Sequence, residues 1–171
     1  MNFDEAVELA LRTWYPKDHP LHFNPHHPLG KLLGEWGELL DDYMKFLYKP
    51  NYVFKPQDEL GDIWYYLRIL AYQNNHKLND LGYNVKIKTD IAIALVMVGV
   101  ANILIEGLNR NTTMDIVYTT LIGIAGRYNL TLDDLTRSNW EKLKPGSERG
   151  EQWMEARVLT NYVGGKIGGS A

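Results

Sequence analysis

Between Pro56 and Asn75 the chain reads PQDELGDIWYYLRILAYQNN, a stretch that needs protein packed against more than one of its faces. Pro56 suits the first turn of a helix, and helical spacing then puts Leu60, Ile63, Trp64, Leu67 and Ala71 on one side. The other side carries Glu59, Asp62 and Tyr66, but it also carries Ile69, so it too belongs against other elements. An ionised Asp62 in such a setting costs several kcal/mol unless a cation or strong hydrogen bonds compensate it, or its pKa rises until it is neutral.

The remaining periodicity is helical throughout. Asn2 to Trp14 forms a first helix, with Asn2 as N-cap, Glu5 placed for a capping box, and Phe3, Val7, Ala10, Leu11 and Trp14 as its apolar stripe. Residues 15–28, YPKDHPLHFNPHHP, hold four of the seven prolines and four of the five histidines, and are expected to form a loop acting as a lid or pocket wall. Leu29 to Tyr48 repeats apolar residues at helical spacing until Pro50 stops it. Further helices are expected over Thr89 to Leu108 and Thr112 to Tyr128, then a short turn or helix closing on Trp140. The tail ending GGKIGGSA is glycine-rich and expected to be mobile.

Ile91 to Ile105 is almost uniformly apolar between Asp90 and Glu106. A bilayer-spanning helix takes about 20 residues, and Gly99 and Asn102 interrupt this run, so it is expected to be a buried core helix and no membrane partner is expected. An apolar content of 45% supports a folded core. The net charge of −3 and the lack of a basic run argue against long nucleic acid as a partner. There is no cysteine, which excludes disulfides, Cys-bearing zinc sites and thiol nucleophiles. The opening MNFDEAVELALRTW lacks the charge and apolar pattern of a signal peptide, so a cytoplasmic location is expected.

The chain also resembles itself at an offset of 54 residues. Leu67, Ala71, Leu78, Asp80 and Leu81 match Leu121, Ala125, Leu132, Asp134 and Leu135. Two related helical hairpins are expected, and in the second, positions near Met97 and Val100 stand where the first has Glu35 and Glu38.

Glu35 and Glu38 project from one side of their helix, a turn apart, and Asp42 extends that side. Alone they could be a solvated face laced with weak pairs such as Lys31 with Glu35. A short connection would pack this helix antiparallel to the next, bringing ExxE and ExxD within reach of one another. Four converging carboxylates, Glu35, Glu38, Glu59 and Asp62, suit Mg²⁺ or Mn²⁺ better than zinc. A di-iron bundle site wants a Glu-x-x-His pair, and neither helix supplies a histidine before His76.

GEWGELLDDYMKFLY followed by DELGDIWYYLRILAYQ resembles the MazG-like family of all-α nucleoside triphosphate pyrophosphohydrolases, relatives of the dimeric dUTPases and dCTPases. The strong likeness covers residues 29–78, and SNWEKL (138–143) resembles the family's closing Asn-x-x-Lys-Leu element. The resemblance implies an all-α, four-helix-bundle-like fold of two hairpins (29–78 and 89–135, the second without the acids). These would lie within a helical domain over 29–143, preceded by the helix and loop of 1–28 and followed by a tail over 144–171. It also implies hydrolysis of a nucleoside triphosphate between its α and β phosphates, with Glu35, Glu38, Glu59 and Asp62 holding Mg²⁺ and with Glu38 and Glu35 as the catalytic acids. Glu38 is the assigned base, with Asp41 and Asp42 in reserve, because Trp36 stands where some members carry a further acid. Tyr66, Trp36, Asn139 and Lys142 would meet substrate, with Lys31, Lys45 and Lys49 as phosphate partners by position. Tyr66 fits a buried core tyrosine equally well. Trp14, Tyr15, His22, Phe23, His26 and His27 would offer base stacking, their histidines otherwise solvated. A homodimer is expected. The competing reading is a catalytically silent nucleotide- or cation-binding scaffold.

Overall fold

The computed structural model describes residues 1–82, 88–107 and 109–158; the glycine-rich end of the tail, expected to be mobile, lies outside them. Among the described residues the chain is all-helical, with seven helices and no strand: α1 (Phe3–Arg12), α2 (His26–Tyr48), α3 (Gln57–Gln73), α4 (Thr89–Glu106), α5 (Arg110–Arg127), α6 (Leu132–Leu143) and α7 (Glu148–Val158).

The constraint set by residues 56–75 is met by surrounding α3. It packs against α1, α2, α5 and α6, and every residue from Leu60 to Ala71 except Asp62 is buried. α4 packs against α2 and α5, so α2, α3, α5 and α4 close a cycle of four helices, with α1 and α6 on the remaining side of α3. Gly61 lets α6 approach: a Cβ there would touch the Leu135 carbonyl at 3.4 Å.

Local chemistry sets several boundaries. α1 begins with the expected capping box, the Asn2 side chain accepting from Glu5 N while the Glu5 carboxylate accepts from Asn2 N. α2 starts three residues earlier than the sequence reading placed it. Pro28 is tolerated there because first-turn N–H groups have no helical acceptor, and the Asn24 side chain accepts from His26 N. α4 stops at Gly107, whose φ of 66° provides the left-handed cap. The region expected to be a short turn or helix is a 12-residue helix, α6, capped by Thr131 and Asp134. Part of the region assigned to the tail is also helical, as α7, and the Trp153 indole donates to the Thr13 carbonyl at 3.0 Å.

The expectation of a buried core helix for the apolar run needs correction. Ile93, Val96, Val100 and Ile103 face the core, but Ile91, Leu95, Val98 and Ile105 are exposed. By length and composition α4 is apolar enough to cross a membrane, and a third of it is buried within the protein.

One core feature had no counterpart in the sequence reading. Arg68 is 1% exposed, with its guanidinium 5.2 Å from the Trp64 ring centroid; Nε donates to the Trp64 carbonyl at 3.2 Å and a terminal nitrogen donates to the Ala6 carbonyl. It ties α1 to α3 with no carboxylate paired to it among the described residues, and burial lowers its pKa to about 9. Arg68→Ala is expected to lose about 2–4 kcal/mol in urea unfolding, through the cavity left between α1 and α3. Arg68→Met should lie within about 1.5 kcal/mol of the unmodified chain, since a buried charge is replaceable by an apolar group of similar length.

Candidate functional site

The acids of α2 and α3 meet across the seam between the two helices. Glu35 feels the charges of Asp62 and Glu38, and Glu59 those of Asp42, Asp58 and Asp62. Burial, reinforced by Asp62 and Glu38, pushes Glu35 up to about 7, while the ammonium groups of Lys142 and Lys31 pull the other way. Glu59 is also raised, first by burial and then by the neighbouring acids, although its own backbone N–H opposes the shift.

α6 supplies what Asp62 requires. The Asn139 amide donates to Asp62 Oδ1 at 2.7 Å, and Lys142 Nζ pairs with Oδ2. Asn139 is buried, and the side chains of Asp62 and Lys142 are 16% and 20% exposed, so this pair is screened little by solvent. Hydrogen bonds and an opposite charge thus compensate the carboxylate, one of the outcomes its setting in α3 permitted.

Glu38 and Glu59 line a cavity of about 320 Å³ with Asp41, Asp42, Lys45 and the bare backbone of Gly34 and Gly37. Lys45 pairs with Asp41 at 2.6 Å, one turn back on its own helix. The Tyr52 hydroxyl donates to Asp42. Nothing in the connection between α2 and α3 signalled Tyr52, and the sequence reading gave no role to Gly34 and Gly37.

The structure therefore gathers Glu35, Asp62, Asn139 and Lys142, and lines a neighbouring cavity with Glu38 and Glu59. Lys31 is exposed beside Glu35, whereas Trp36 is fully buried and Tyr66 is 5% exposed, edge-on to Trp14 and Tyr65. Trp36 and Tyr66 are core residues here. The loop histidines also need correction as a solvated group, since His22 is buried. Met97 and Val100 of α4 bring no acid to the site; Met97 approaches α2 at Gly37.

Among the described residues, no three His, Asp or Glu side chains are drawn close enough to hold a metal ion. The donor set nevertheless has the chemistry of a hard cation site: oxygen donors only, mutually repelling, with two of them raised in pKa. The chain matches no protein-family model, no curated protein and no solved structure.

Because the folded Glu35 carboxyl keeps its proton to a higher pH than an unfolded one, the folded state loses stability as pH rises from 4.5 through about 7. In metal-free buffer, Glu35→Gln is expected to flatten that decline and to melt higher than the unmodified chain above pH 7, by about 2–4 °C if relief is near 1 kcal/mol. Differential scanning fluorimetry across pH 4–8 measures it; parallel curves for the two proteins would refute it.

Proposed function

We propose that the chain is a cytoplasmic, Mg²⁺-dependent nucleoside triphosphate pyrophosphohydrolase of the MazG-like type, releasing pyrophosphate and a nucleoside monophosphate. The observation that carries this reading is the electrostatic convergence of ExxE and ExxD across the α2–α3 seam, with Asp62 held by Asn139 and Lys142. Glu35, Glu38, Glu59 and Asp62 would hold the cation, with Mn²⁺ able to substitute. When bound, the cation supplies neutralisation of phosphate charge and a more acidic water.

The chain's own groups have distinct tasks in this reading. Glu38 is exposed on the cavity wall, where its carboxylate accepts the proton of the water attacking the α-phosphorus. Lys142 can exchange Asp62 for a phosphate oxygen without leaving its place, and Asn139 keeps Asp62 oriented meanwhile. Lys45, on the cavity rim, and Lys31, beside Glu35, are the remaining phosphate partners. The two-hairpin layout, with α4 and α5 kept for shape, belongs to the same reading.

Pyrophosphate release from a panel of NTPs and dNTPs should require Mg²⁺ and fall by about 10²–10³ in Glu38→Gln and in Asp62→Asn. Activity surviving both substitutions sinks the proposal. A silent nucleotide-binding scaffold has one observation in its favour: Lys142 already neutralises Asp62. Thermal stabilisation by nucleotides without turnover of any would select that reading.

The expected partner is a second copy of the chain, supported by the exposed stripe of Ile91, Leu95, Val98 and Ile105, which no charged side chain interrupts. Light scattering should give a dimer that the double substitution Leu95→Glu/Val98→Glu converts to monomer. A monomer at the outset would overturn this assignment.

A further inference from the structure

Both oxygens of Asp62 are engaged within the chain itself: Oδ1 by the Asn139 amide at 2.7 Å and Oδ2 by the Lys142 ammonium. The same ammonium acts on Glu35, so it stands beside two of the four acids that the proposed reaction gives to the cation. A carboxylate oxygen keeps a second lone pair. A divalent cation sharing Asp62 with an ammonium would nevertheless meet its repulsion at short range, little screened at this depth. Cation and ammonium therefore compete for Asp62.

Of the two groups on Asp62, Lys142 is the one free to leave. Asn139 is buried, and one turn before it on α6 the Thr136 hydroxyl accepts from the indole of Trp64, two residues beyond Asp62 on α3, at 2.9 Å. That bond, with Leu135 and Leu143 buried on the same helix, keeps α6 in place whether or not the ammonium stays. Lys142 is partly open to solvent and reaches Asp62 on a flexible four-carbon stem. Its ammonium pairs with no other carboxylate among the described residues. Once displaced it needs another anion, and a phosphate oxygen offers one in a charge-assisted hydrogen bond.

We infer, resting on the reaction proposed above, that Lys142 is an internal lock on the cation site: it bars a divalent cation from Asp62 until a polyphosphate draws the ammonium away. The seam then takes cation and polyphosphate together and each poorly alone. The coupling is reciprocal, since the cation that takes Asp62 also frees Lys142 for the phosphate.

Each half of the lock is tested with one probe on the full chain. Paramagnetic resonance of Mn²⁺, without nucleotide, should show Lys142→Met binding the ion about tenfold tighter than the unmodified chain. Lys142→Arg, which keeps the charge, should not gain, and Lys31→Met, which removes a charge beside Glu35 but not one paired with Asp62, should gain less than about threefold. Calorimetry in EDTA with inorganic tripolyphosphate should show Asp62→Asn binding about fivefold tighter than the unmodified chain, a gain absent from Asp62→Asn/Lys142→Met. This second arm decides the matter if Lys142→Met alone does not fold, since the double substitution leaves no unpaired charge at the contact. Unchanged Mn²⁺ affinity in folded Lys142→Met, an equal gain in Lys31→Met, or a tripolyphosphate gain that persists in the double substitution would each overturn the lock. Any of these beside Mg²⁺-dependent pyrophosphate release by the unmodified chain leaves the reaction standing, whereas Mn²⁺ binding to none of the proteins overturns both.

Discussion

The contact between Asp62 and the Asn139–Lys142 pair is the interaction on which the arrangement of the helices turns. α3 is enclosed on every side, and it carries a carboxylate into that enclosure. A helix so apolar could be covered by any amphipathic partner of suitable length. Covering it next to Asp62 calls for a partner with a donor and a cation one turn apart, and α6 provides them at positions 139 and 142. Burial of the apolar face supplies the larger share of stability, while Asn139 and Lys142 offset the cost of carrying Asp62 into it.

The same pair organises the charge of the seam. With Asp62 matched by Lys142, the uncompensated burden falls on Glu35, the acid most raised in pKa, and on Glu59. Glu38, on the cavity wall, is exposed. The seam thus holds acids of unlike character within a few turns of helix: one matched, two strained by burial and repulsion, and one open to solvent. That gradation arises from depth and neighbours, since all four residues bear the same functional group, and it is the feature the proposed metal-dependent reaction would draw on.

The all-α class, the helical core and the pairing of ExxE with ExxD were legible because each rests on local spacing. The Asn2–Glu5 capping box and the stop before Pro50 were legible for the same reason. α4 was misjudged because Asn102 is the one polar side chain between Ile91 and Ile105, and a single residue in phase with the exposed positions is a faint record of which face meets the core. α6 was underrated because only Leu132, Leu135, Trp140 and Leu143 are large and apolar among polar neighbours, and its length depends on what it covers. Arg68 was overlooked as an isolated cation in an apolar run, and its carbonyl partner is 62 residues away. His22 looked solvated because its burial depends on α1, α3 and α7, which no local pattern connects.

The order of these elements along the chain has a consequence for synthesis. α3 leaves the ribosome well before α6, so Asp62 is made some 80 residues ahead of the lysine that matches it. Through that interval α2 and α3 can join only with their acids unmatched, a pairing weakened by its own repulsion. An α2–α3 pair formed in that interval would carry this repulsion until residues 139 and 142 arrive to match Asp62.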